Sequence, residues 1–136
     1  METVIHFSAD EERALEKIFA LYTERAKHSI TISYVMDKWS RFVTEVEDGY
    51  RRTIDDYTND LTRRDFIQNV LNICPANVDL KEWAAGWDER FVLATQTVNE
   101  PLLPSLDDER PDWWWFRMPV RPGERVQEWL RLYGAG

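Results

Sequence analysis

From Ile32 to Leu61 apolar residues return every three or four positions, and this constrains the fold more than any other feature of the chain. Ile32, Val35, Trp39, Phe42 with Val43, Val46, Tyr50, Ile54, Tyr57 and Leu61 keep one helical phase. Unbroken, the segment is a central helix on the order of 45 Å long at 1.5 Å per residue. Its polar face carries acid-to-base pairs four apart in the favourable order: Asp37–Arg41, Glu47–Arg51, Asp48–Arg52 and Asp60–Arg64. Gly49 and Thr53 are where such a helix would kink or break.

Shorter helices flank it. Ser8 followed by Glu11 makes a capping box, and Leu15, Ile18, Phe19, Tyr22 and Ala26 form an apolar stripe, predicting a helix over 9–28. Another is expected to begin at Thr62, capped with Asp65, and to end at Pro75. Asp79 and Glu82 are then read as the cap of a helix whose stripe runs from Leu80 through Trp83, Trp87 and Phe91. Residues 99–111 form a Pro-rich acidic loop, and a last short helix over 123–133 carries Val126, Trp129, Leu130 and Tyr133. The expected fold is a single all-α domain over 1–136. It is a bundle of four to five helices with one long central helix and an extended Trp-rich C-terminal segment.

That segment reads Pro-Asp-Trp-Trp-Trp-Phe-Arg-Met-Pro from Pro111 to Pro119. If extended, Trp113 and Trp115 point one way and Trp114 and Phe116 the other. Each large aromatic side chain buries roughly 150–250 Å², so the strip needs protein on both faces or a partner on one. Two readings stand together: it closes the core beside Trp39, Trp83 and Trp87, or it exposes tryptophans beside Arg117, a mixture enriched at binding hot spots.

Charge is uneven. Residues 1–109 carry 12 Lys and Arg against 22 Asp and Glu, whereas residues 110–136 carry five Arg against three acids; the whole chain is at −8. An acidic body disfavours nucleic acid, which is held largely by Lys and Arg, and favours a basic protein partner. No apolar run approaches the roughly 18 residues of a membrane span, and Met1–Asp10 lacks a secretory pattern. The expectation is therefore a cytoplasmic protein that engages no membrane.

Chemical signatures are sparse. Cys74 is the one cysteine and is expected to be a small core residue; His6 and His28 lie outside any His-x₃-His or Glu-x-x-His pair, so no metal site is expected. With five glycines and no Walker loop, Gly-x-Ser-x-Gly or dinucleotide motif, no cofactor is expected either. Asp55, Asp56 and Asp60 cluster with Tyr57, but Arg63 and Arg64 within reach would keep the carboxylates ionised.

The stretch Ile54-Asp55-Asp56-Tyr57-Thr58, followed by Phe66, Val70 and Ile73-Cys74, resembles the opening helices of the colicin nuclease immunity proteins. The order of features is similar too: a helical pair, a capped helix, an aromatic strip behind Asp112 and a short terminal helix. The resemblance spans about the last 80 residues, with Trp113–Phe116 standing where that family carries a Tyr-Tyr pair. It points to toxin-immunity proteins generally, including those of contact-dependent inhibition, and implies a non-catalytic protein that neutralises a basic toxin or effector. On this reading Glu45, Asp48, Asp55, Asp107, Asp108 and Glu109 attract the partner. Trp113, Trp114, Trp115, Phe116 and Arg117 hold it. A small enzyme or ligand-binding bundle using Asp55, Asp56, Asp60 and Tyr57, and a homodimer through the long helix, are the rival expectations.

Overall fold

A computed structural model describes residues 5–27, 29–99, 102 and 112–133. Five helices dominate: α1 (Ala9–Ala26), α2 (Ile32–Asp48), α3 (Ile54–Ile73), α4 (Val78–Ala94) and α5 (Glu124–Tyr133). Two short antiparallel strands, β1 (Thr95–Thr97) and β2 (Arg117–Pro119), pair Thr95 with Pro119 and Thr97 with Arg117. The all-α bundle is as expected, with this small ribbon added. Among the described residues no helix is long and apolar enough to cross a membrane.

The long central helix is two helices. At Gly49 the backbone takes φ 106°, which only glycine tolerates easily, and α2 stops. Thr53 then starts α3 with a reciprocal capping box: its hydroxyl accepts from the Asp56 N–H while the Asp56 side chain accepts from the Thr53 N–H. Thr62 consequently caps nothing; it sits inside α3 and donates to the Asn59 carbonyl. The cap of α4 is Asn77 rather than Asp79, its side chain accepting from the Leu80 N–H at 3.0 Å and donating to the His6 carbonyl at 2.9 Å. Ser8 and Glu11 form the expected box on α1.

α2 packs against α3 and α4, α1 and α5 against α3. Val35, Trp39, Phe42, Val43 and Val46 of α2 meet Tyr57, Leu61 and Ile67 of α3 and Phe91 of α4 in one buried cluster that also takes in Tyr50, Trp114 and Met118. Leu15, Val70, Cys74 and Leu80 make a second, smaller one. Cys74 is thus a core residue, and burial pushes its thiol up to about 11.

The break redirects the ion pairs. Asp37–Arg41 forms on α2. Glu47 and Asp48 lie before the turn and Arg51 and Arg52 after it, so those predicted partners no longer share a helix face. Glu47 instead takes Arg90 of α4, and Arg52 takes Glu45 and Asp60. Arg64 turns from Asp60 to grip Asp88 of α4 with two bonds of 2.9 and 2.7 Å.

The C-terminal segment is stitched to the turn between α2 and α3. Tyr50 donates its N–H to the Arg121 carbonyl at 3.0 Å and accepts the Gly123 N–H on its own carbonyl at 2.5 Å. A Cβ at Gly123 would drive into the Tyr50 carbonyl oxygen and lie 2.8 Å from Arg51 Cα, whereas one at Gly86, on the exposed face of α4, meets nothing within 4 Å. Gly123→Ala is therefore expected to destabilise by about 1–3 kcal/mol, since backbone has to move. Gly86→Ala is expected to stabilise by about 0.5–1 kcal/mol through helix propensity and a less flexible unfolded chain. Urea unfolding of both variants checks the pair, and equal effects would contradict the packing.

Candidate functional site

The aromatic strip is a single 3₁₀ turn, Trp113–Phe116, rather than an extended segment. The Trp115 N–H bonds the Asp112 carbonyl at 3.1 Å, which starts the turn. With three residues per turn, alternation is lost: Trp114 and Trp115, neighbours in sequence, both go inside. They are 1% and 6% exposed, against 41% for Trp113.

Buried indoles need acceptors. Both find the same one: Oδ1 of Asp65 on α3 accepts from Trp114 Nε1 at 2.9 Å and from Trp115 Nε1 at 3.1 Å. Burial raises the Asp65 pKa, and the two indole bonds pull it back only in part. Its neighbour Arg64 lies over the Trp114 ring at 4.5 Å. That residue is itself 4% exposed and clamped to Asp88, so the strip is fastened to α3 and α4 together.

Trp114 and Trp115, expected as contact residues, are buried, and Arg117, half-buried, is engaged by internal bonds. Arg117 donates to Thr95 Oγ1 at 2.6 Å and to the carbonyls of Thr95 and Val92, and its own carbonyl accepts the Tyr57 hydroxyl at 2.7 Å. These bonds tie β2 to the end of α4 and to α3. Phe116 is half-buried and packs on the core. Trp113 is the member of the strip that reaches the surface, resting with its ring 6.2 Å from Phe91. Around the end of α4, Val92, Leu93 and Val120 are exposed as well, at 40%, 77% and 53%.

The acidic residues divide. Glu45, Asp48 and Asp55 are exposed and surround the turn between α2 and α3. Glu45 is held by Arg52 at 2.6 Å, whereas Asp48 and Asp55 make no ion pair among the described residues. Asp107, Asp108 and Glu109 lie outside the described residues. No hydrogen bond, ion pair or ring contact among those residues joins Trp113 to the turn.

The carboxylates near Tyr57 do not converge. Asp56 is engaged by Thr53, which lowers its pKa. Asp60 is buried under Tyr50, whose hydroxyl donates to it at 3.2 Å, and beside Arg52; burial raises its pKa against that pairing. The Tyr57 hydroxyl is taken by Arg117, and burial pushes its pKa up too. Asp55, Asp56, Asp60 and Tyr57 line none of three surface cavities found among the described residues. Among the described residues no three His, Cys, Asp or Glu side chains gather as metal ligands would.

Sequence reasoning missed the role of Asp65 as acceptor for two indoles, reading it instead as partner of a helix cap that does not form. The signal was available: adjacent tryptophans inside a core oblige some acceptor to follow them. No family model, no curated protein and no solved structure matches this chain.

Trp114→Ala is expected to cost about 3–5 kcal/mol, the range for truncating a large core aromatic, measured by denaturant unfolding. Asp65→Asn keeps an acceptor oxygen and removes the charge. Because the folded-state pKa of Asp65 is raised, the folded protein takes up the proton first. The stability linked to its neutral form is present below the ordinary aspartate value and is lost as pH rises through the raised one. The stability of Asp65→Asn relative to the parent should therefore improve as pH rises from the ordinary aspartate range toward neutrality. A difference independent of pH over that span would contradict the assignment.

Proposed function

We propose that this chain works by binding a basic protein, as an immunity or inhibitor protein that neutralises a toxin or effector. The observation that carries the reading is the turn between α2 and α3. There Asp48 and Asp55 stand exposed without ion pairs among the described residues, beside a Glu45 already fixed by Arg52, on a chain of net charge −8. Exposed carboxylates of one sign steer an oppositely charged partner and raise its association rate. The resemblance of Ile54–Cys74 to nuclease immunity proteins favours the same class.

Anchoring passes from the strip as a whole to Trp113. A tryptophan 41% exposed, resting against the buried Trp114 and Phe91, presents a large apolar face already held in place. Little side-chain freedom is then lost on binding. Trp114, Trp115, Phe116 and Arg117 support it from within.

Tagged chain expressed in its native host should retain a basic protein in near-equal amount at low salt and release it as salt rises. With that partner purified, the double reversal Asp48→Lys with Asp55→Lys should slow association about tenfold or more while leaving the melting temperature unchanged. Trp113→Ala should weaken binding by about 2 kcal/mol. Recovery of the chain alone at low salt counts against the reading.

A further inference from the structure

A cavity of about 530 Å³ opens between the last turns of α1 and the middle of α3, inside the size range of small-molecule sites. Tyr22 and Phe66 form its aromatic wall, their rings 4.3 Å apart, and Ile30 adds an apolar surface. The wall is built in advance of any ligand. Thr23 Oγ1 accepts the Ile30 N–H at 2.9 Å and fixes the connection after α1, while the Tyr22 hydroxyl accepts from Asn69 Nδ2 at 2.7 Å.

Charge makes the cavity unusual for this protein. Arg25 and Arg63 both line it, and neither makes an ion pair with a described residue. Elsewhere the arginines at helix junctions, Arg52, Arg64 and Arg90, are each matched to a carboxylate. Arg63 is half-buried with its Nε sealed from water and bonded to nothing. Its guanidinium sits 5.8 Å from the Tyr34 ring centre, and its charge is felt by Asp60. The planar fork of a guanidinium is the shape that fits a carboxylate.

Asp65 limits the charge of the occupant. It lines the same cavity, with Oδ1 already committed to the two indoles. Two guanidinium groups against one carboxylate leave room for a single negative charge. We infer that this cavity binds a small aromatic monocarboxylate, its carboxylate held by Arg25 and Arg63 and its ring laid against Tyr22 and Phe66. This site is separate from the acidic turn and from Trp113, and it stands or falls independently of the proposed inhibitor role.

Benzoate and phenylacetate are the probes, with benzamidine, the same ring bearing a cation, as the charge control. Amide resonances of residues 22–30 and 59–66 should shift saturably with either carboxylate, with a dissociation constant of ~1 mM or tighter. Arg63→Gln and Arg25→Gln should each weaken binding about tenfold or more. Arg131→Gln, which removes an equal charge on α5, should leave it unchanged. Arg25 is exposed on α1, so its variant reports on binding even where Arg63→Gln disturbs packing. Three results would overturn the inference: no saturable shift at about 10 mM, tenfold above the expected constant; benzamidine bound as tightly as benzoate; or an equal loss in Arg131→Gln.

Discussion

One carboxylate oxygen receives two indole N–H groups, and much of this structure follows from that. Trp114 and Trp115 cannot both leave water unless their N–H groups are met, since an unpaired buried donor costs about 1–3 kcal/mol. Asp65 Oδ1 meets both, at 2.9 and 3.1 Å. The arrangement forces the strip into a 3₁₀ turn, because an extended chain would send adjacent indoles to opposite faces. It also requires a carboxylate to be half-buried, which burial resists by raising its pKa. Arg64 lies over Trp114 while gripping Asp88, so the turn, α3 and α4 are held as one unit.

A second fastening lies at the other end of the C-terminal segment. Tyr50 binds Arg121 and Gly123 through its backbone and Asp60 through its hydroxyl, and Tyr57 holds Arg117. Both tyrosines follow the interruption at Gly49. Had α2 and α3 been one helix, the Tyr50 N–H would have bonded within it and could not have donated to the Arg121 carbonyl. The broken helix is therefore what allows the segment from Arg117 to Gly123 to dock.

Helix positions and most of the core were legible in the sequence, because apolar period and capping are local. The break was harder to see. The 3.6-residue phase runs on through Tyr50, Ile54 and Tyr57, since the residues after the turn bury into the same cluster as those before it. Periodicity records which face is buried, not whether the axis continues. The Thr53–Asp56 box was written in the sequence, as a Thr followed three positions on by an acid, yet the apolar phase outweighed it. Arg64 with Asp88, Glu47 with Arg90 and Asp65 with the two indoles join positions 24 to 50 apart. No spacing rule reaches so far. Four-apart pairing instead suggested Arg51 for Glu47 and Asp60 for Arg64.

These long-range pairs also explain the surface. Arg52, Arg64 and Arg90 are drawn into the junctions between helices, where a planar fork joins elements that have no common backbone bonds. With Arg52 engaged by Glu45 and Asp60, Asp48 is left without an ion pair among the described residues. Arg25 and Arg63 are gathered at a cavity instead of a junction. The turn and the cavity differ in how salt reaches them. Interactions of Asp48 and Asp55 cross water and fade over a Debye length of about 8–10 Å, while Arg63, with Nε sealed in the protein, acts at contact range in a less polar medium.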